Sequence, residues 1–383
     1  MMKYRLFFIV AFLFIGTAAK AQKNGKKEID ENKMYIAGSS HEVKTYPQKF
    51  KSKKPENIIL MIGDGMGVAQ VYAGITANKG HLFIENMKYV GFSKTYSASD
   101  YITDSAAGGT ALATGVKTYN AAVSVDTIKN PIKTVLEYAQ KKEMATGLVV
   151  TSRINHATPA VFMTHQEDRG AYGKIAADFV DANIDVFIGG GLKHFTGRTD
   201  GRNLLEELKR KGYAVEQSME DVVKVKSGKL AGLVAPDHLE RTGERKDMLP
   251  VSVETAIGIL SQDRDGFFMM VEGSQIDFGG HSNNTTYMVE EMLDFDKAIG
   301  RALDFASKDG KTLVVVTADH ETGGFSITGG DVRTGMVTGE FSTGGHTGVM
   351  VPVFAYGPGA EEFMGIMENS DVGKQLISLI QKK

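Results

Sequence analysis

The chain contains no cysteine. That absence excludes thiolate-bound zinc, a cysteine nucleophile, a disulfide framework and a lipid tether carried on cysteine. Charge of one sign is lacking too. The 44 basic and 46 acidic residues leave a formal −2, which offers no basic field and no specificity for nucleic acid. Lysines gather only in stretches such as Lys51, Lys53 and Lys54, where a solvated surface accounts for them. The apolar run near the start, Leu6 to Gly16, is too short to span a bilayer. No internal repeat and no low-complexity tract interrupts the sequence.

What remains is 383 residues, 42% hydrophobic and 23% charged, enough for one large or two moderate cores. Residues 1–21 read as a signal peptide. Lys3 and Arg5 form a positive n-region, Leu6 to Gly16 an apolar core, and Ala19-Lys20-Ala21 a small-x-small cleavage site. An uncleaved anchor is the alternative. Cleavage removes three of the 44 basic residues and no acid, leaving 41 against 46, or −5. The mature protein is expected to be periplasmic or secreted and not held by a membrane. Gln22 to Lys54 reads as a polar N-terminal arm or linker, and 55–383 as a single catalytic domain.

Within that domain Ile58 to Ile62 is a continuous apolar run ended by Gly63-Asp64-Gly65. Such a run suits a strand buried on both faces of a parallel sheet. The pattern recurs at 148–150, 186–188, 267–271, 313–316 and 351–355. Between these lie helix-period segments, including Met288, Met292, Phe295, Ile299 and Leu303, a stripe that reads as core packing. Segments 253–260 and 376–380 also read as helical. The fold class is therefore α/β, with a large, mostly parallel central sheet and helices on both faces. Residues 192–250 are more polar and read as a surface excursion. Ligands in such folds sit beyond the carboxyl ends of the strands.

The chemistry-bearing residues fall at those ends. Asp64 follows the first run, where a turn cap explains it as well as a metal does. Ser105 opens a small-residue stretch, Ser105-Ala106-Ala107-Gly108-Gly109-Thr110, that predicts a helix to Thr114. A serine there is either a cap or a nucleophile beside amides that attract an anion. Glu272, Asp277 and His281 follow the 267–271 run, with Asp277 and His281 one helical turn apart. A glutamate buried there without a partner costs several kcal/mol, so a cation is expected nearby. Asp319-His320 leaves another strand into a glycine turn, and His346 lies in Gly344-Gly345-His346. His41, His81 and His194 have no such setting and receive no role.

These segments carry a resemblance. Ile102 to Thr110 and the Asp64, Glu272, Asp277, His281, Asp319-His320 and His346 motifs, in that order, resemble the alkaline phosphatase family from about Asn57 onward. The resemblance implies a phosphate monoesterase with two Zn2+ and one Mg2+, acting through a phosphoserine on Ser105. It implies Asp277, His281 and His346 around the first zinc and Asp64, Asp319 and His320 around the second, with Ser105 as its exchangeable ligand. For magnesium it implies Asp64, Thr158 and Glu272, with His156 beside them. It implies Arg169 as the phosphate clamp, with Arg153 the other candidate, and Asp104 as its orienting partner. Small phosphate monoesters as substrates, phosphate scavenging and a homodimer follow as family expectations.

Two positions that vary within the family stand here as His156 and Phe278, and both bear on the third metal and on phosphate release. Only residues 321–345 separate His320 from His346, where many relatives carry a longer insertion, so the crown is expected to be reduced. Three other readings stand beside the monoesterase. A sulfatase needs a Cys/Ser-x-Pro-x-Arg setting that is not found. A phosphodiesterase differs in pocket shape, on which sequence is silent. A metal- or phosphate-binding protein without turnover would not need Ser105.

Overall fold

The structure is a computed structural model and describes residues 31–36, 38 and 40–382. Residues 1–21, expected to be a signal peptide, and the first part of the expected arm lie outside the described residues. Fifteen strands are described, three of them only two residues long. The ten of the central sheet are β2 (Asn57–Gly63), β3 (Tyr89–Lys94), β4 (Ala145–Arg153), β5 (Val186–Gly190), β6 (Tyr213–Glu216), β7 (Lys229–Leu233), β8 (Phe267–Gly273), β9 (Thr312–Thr317), β14 (Val351–Tyr356) and β15 (Gly365–Glu368). Their spatial order is β15-β3-β14-β9-β2-β8-β4-β5-β7-β6. Only β14 runs against the rest, antiparallel to both β3 and β9.

The apolar runs explain this arrangement. Every residue of β2, β8 and β9 is buried, as expected of central parallel strands covered on both faces. Alternate side chains enter two separate cores. Ile59 and Met61 join the helices Met248–Leu260 and Thr285–Asp309 on one face. Ile58, Leu60 and Ile62 join Ser105–Thr114, Val135–Lys141, Ala157–Met163 and Asn369–Gln381 on the other. Phe295 of the long helix is fully buried, so truncating it to alanine is a change of about 3–5 kcal/mol.

Residues 192–250 are not a surface excursion. They supply β6 and β7, which complete one edge of the sheet. β6 is the edge strand itself, and its Ala214, Val215 and Glu216 are only half-buried, which accounts for part of the polarity. The described residues before β2 pack on the body: β1 (Met34–Tyr35) pairs with β12 (Met336–Phe341), Tyr35 and Tyr46 are buried, and His41 Nε2 lies 2.7 Å from Asp296 Oδ2.

The short segment after His320 turns back on itself. β10 (Glu321–Thr322) pairs with β13 (His346–Thr347), setting Thr322 opposite His346. The loop between them is a hairpin of β11 (Phe325–Asp331) and β12. Among the described residues no helix is long and apolar enough to cross a membrane.

Candidate metal centre

The site grows from the carboxyl ends of four adjacent strands, β9, β2, β8 and β4. β2 stops at Gly63 and delivers Asp64. Gly65, at φ +72°, makes the turn and passes close to Asp277 and Thr322, where a side chain would collide. Glu272 lies within the last turn of β8, one strand away. On the other side of β2, Asp319 and His320 follow β9. Asp64, Glu272, Asp319 and His320 are all fully buried.

The helix Ser105–Thr114 aims its N-terminus into this group. Its cap is Asp104, whose Oδ1 accepts the Ala107 amide at 2.9 Å. Ser105 is thus not spent on capping, and its Oγ lies 3.2 Å from His320 Nε2. Gly108 lets the helix approach the end of β9, since a Cβ there would stand 2.9 Å from the Asp319 carbonyl oxygen.

Two ligand sets result. In one, Asp64 Oδ1 and Asp319 Oδ2 stand 3.4 and 3.3 Å from His320 Nε2. In the other, His281 Nε2, His346 Nε2 and Asp277 Oδ1 lie 3.2 to 3.6 Å from one another. His320 stacks on His346, ring centroids 3.5 Å apart, and so stands between the two sets. The three imidazoles are each anchored through Nδ1: His281 donates to the Gly344 carbonyl at 2.7 Å and His346 to the Thr103 carbonyl at 2.9 Å, while His320 meets Thr322 Oγ1 at 3.2 Å. That fixes the tautomers and turns every Nε2 lone pair inward, as metal-ligating histidines require.

The electrostatics call for cations. Burial, and then the charges of Asp319, Asp277 and Glu272, hold the Asp64 carboxyl well above its ordinary range. Burial and the Asp277 and Glu272 charges do the same to Asp319. Burial pushes Glu272 up to about 7. Burial first, then the nearby His346, Arg169 and His281, drives His320 well below its usual value. Both oxygens of Asp64, Oε1 of Glu272, Oδ2 of Asp319 and Oγ1 of Thr158 are buried without a hydrogen-bond partner. Orphaned buried oxygens of this kind are costly unless an ion binds them. The donor chemistry sorts itself: mixed nitrogen and oxygen in the two histidine sets suits zinc, and the oxygens of Asp64, Thr158 and Glu272 suit magnesium.

Arg169 donates from Nη1 to Asp104 Oδ2 at 3.0 Å. Burial opposes its charge, and Asp104 more than offsets that. Its Nη2 lies 3.4 Å from His156 Nε2, while His156 Nδ1 is buried and unpartnered. Arg153 points elsewhere, stacked 4.2 Å over the Tyr172 ring with Nη1 3.3 Å from Asp237 Oδ1. Sequence reasoning missed His238. Its ring packs edge-on against Phe278 at 5.1 Å and His156 at 5.2 Å, and its Nδ1 accepts the Arg153 amide at 3.3 Å. It missed Thr322 as well, although the residue sits two positions after the Asp319-His320 pair.

Comparison with known proteins agrees with this centre. A sequence model described as alkaline phosphatase matches residues 55–340. Alkaline phosphatase 3 of Bacillus subtilis is 36% identical, the match covering 87% of this chain and 91% of that protein. The alkaline phosphatase of Escherichia coli is 32% identical, covering 84% and 85%. The solved structure of the alkaline phosphatase from the Antarctic bacterium TAB5 superposes with a TM-score of 0.82 at 41% identity, covering 86% of this chain and 99% of that one. A His-to-Asp mutant of the TAB5 enzyme, with Mg bound in its M3 site, superposes at 0.81 with 39% identity, covering 88% and 99%. This chain belongs to the alkaline phosphatase family, whose members hydrolyse phosphate monoesters.

Proposed function

We propose that the protein hydrolyses small phosphate monoesters to an alcohol and inorganic phosphate through a phosphoserine on Ser105. The observation that carries this reading is Ser105 Oγ, free of capping duty, lying 3.2 Å from His320 Nε2 beside the unpartnered oxygens of Asp64 and Asp319. Asp277, His281 and His346 would hold one zinc, and Asp64, Asp319 and His320 a second. Asp64, Thr158 and Glu272 would hold magnesium with His156 nearby, a reading also supported by the Mg described in the TAB5 mutant. Bound metal would supply Lewis-acid polarisation of the phosphoryl oxygens and a lowered pKa at Ser105.

The chain's own residues supply the rest. The N-terminus of the helix Ser105–Thr114 presents amides and the positive end of its dipole to a phosphoryl group. Arg169, braced by Asp104, offers two parallel N–H donors to its equatorial oxygens. Ser105 Oγ bonds to phosphorus as the phosphorus–oxygen bond to the alcohol breaks; the serine hydroxyl gives its proton to solvent and the departing alcohol oxygen takes one from solvent. Water then cleaves the Oγ–P bond, returning the serine hydroxyl and releasing phosphate. The neutral wall of Phe278 and His238 makes no ionic hold on the product. Residues 1–21 support export of the chain, and with it a role in scavenging phosphate; N-terminal sequencing of the exported protein tests that. The family supports a homodimer, which sedimentation of the purified mature chain tests.

The deciding experiment is phosphate release from an aryl phosphate monoester at alkaline pH, before and after chelation and with zinc and magnesium restored. Loss and recovery support the reading. Turnover of an aryl diester but not the monoester in the restored protein would replace it with a phosphodiesterase.

A further inference from the structure

We infer that Thr322 is a positioning residue that ties the two histidine-carboxylate ligand sets together through one hydroxyl. Its Oγ1 donates to Asp277 Oδ1 at 2.5 Å and lies 3.2 Å from His320 Nδ1. A threonine hydroxyl has one proton to give and lone pairs to receive. With its proton on the Asp277 carboxylate, it accepts from His320 Nδ1–H. The bond therefore selects the His320 tautomer whose Nε2 lone pair faces Asp64, Asp319 and Ser105. Asp277 belongs to one set and His320 to the other, so the hydroxyl is the shared support of both.

The rest of Thr322 is placed for this task. It is fully buried. Its amide donates to the Gly65 carbonyl at 3.1 Å, beside Asp64, and its carbonyl accepts from Gln70 Nε2 at 3.1 Å. It pairs across β10 and β13 with His346. Its side chain fills the space that glycine leaves at 65 and 280, where an added Cβ would meet Thr322 atoms at 2.7 and 2.9 Å. One residue thus touches the segments that carry Asp64, Asp277, His320 and His346. Groups that orient metal ligands in this way typically govern affinity by 10- to 100-fold.

The inference rests on the metal-centre reading, and the test separates the two. Metal-free full-length mature protein is titrated with Zn2+ against a chromophoric chelator, and the visible spectrum of the Co2+-loaded protein is recorded. Thr322→Val removes the hydroxyl and keeps the shape; Thr322→Ser keeps the hydroxyl. The expected result is zinc binding about 10- to 100-fold weaker in Thr322→Val, with a shifted Co2+ band, and restoration of both in Thr322→Ser. Should the valine variant fail to fold, Thr322→Ala serves as the hydroxyl-free comparison. Wild-type affinity and an unchanged band in the hydroxyl-free variant overturn the inference. So does a serine variant no better than valine, which would make the role one of packing. Wild-type protein that takes up no zinc removes the metal-centre reading, and the inference with it.

Discussion

One carboxylate, Asp104, serves both the helix that starts at Ser105 and the guanidinium of Arg169: Oδ1 accepts the Ala107 amide, and Oδ2 accepts Arg169 at 3.0 Å and the Ala121 amide at 3.0 Å. Fold and phosphate binding are therefore separable at this residue. Asp104→Asn keeps a capping oxygen and is expected to leave the unfolding temperature nearly unchanged while weakening inhibition by inorganic phosphate. Asp104→Ala is expected to weaken that inhibition too and, in addition, to lose about 1 kcal/mol of stability with the cap. Thermal unfolding and phosphate inhibition, measured side by side, check this.

Ser105→Ala is expected to lower phosphate release by about a thousand-fold or more. Because Asp104 holds the cap, the variant should unfold at the wild-type temperature. Full activity would remove Ser105 from the mechanism.

The two arginines are expected to behave differently. Arg169→Ala should weaken inorganic phosphate binding, about ten-fold or more, through loss of a bidentate contact. Arg153→Ala should alter it far less, since Arg153 is engaged with Tyr172 and Asp237. Equilibrium binding of phosphate to each variant decides, and the reverse order would exchange their roles.

Without metal, burial holds Glu272 at about 7, so it is part-protonated near neutrality, and burial and neighbouring carboxylates raise Asp64 and Asp319 in the same direction. Cations bind the ionised forms, so adding Zn2+ and Mg2+ to chelated protein in weak buffer at pH 7 should release protons. A pH-stat trace with no acid release would contradict the direction of these shifts.

Burial, reinforced by the charge of Arg153, lowers His238 to about 4. Free imidazole titrates near 6.5, so between those limits the unfolded chain binds the extra proton. The contribution of His238 to stability is thus complete above about pH 6.5 and falls as pH drops toward 4, by on the order of 2 kcal/mol once partial exposure is discounted. His238→Gln, which retains an acceptor for the Arg153 amide, should flatten that limb of the stability curve in acid unfolding.

The residues that were legible in the sequence share a physical cause. Strands buried on both faces write themselves as unbroken apolar runs, so a charged or imidazole residue at the end of one stands out, as Asp64, Glu272 and Asp319 do. The nucleophile turn was legible because small residues crowd where a helix must approach a sheet. What stayed hidden depends on partners far along the chain. β14 has the same apolar pattern as the parallel strands of the sheet, and nothing in it records its reversed direction. His238 sits in the loop after β7 and meets His156, Phe278 and the Arg153 amide only because β7 pairs beside β5 in the folded sheet. Thr322 is an ordinary residue by composition, and its importance lies in a hydroxyl shared between side chains 45 positions apart and two positions apart.

The order of the central strands also has a consequence in time. β2 is made early, yet its two neighbours are β8 and β9, more than two hundred residues later in the chain. Asp64 therefore waits, unaccompanied, through most of synthesis, and His346 is among the last parts to be added. An unfinished chain owns scattered donors but no coordination sphere. The candidate ligands therefore come together only after the chain has been made as far as His346 and its strands have paired.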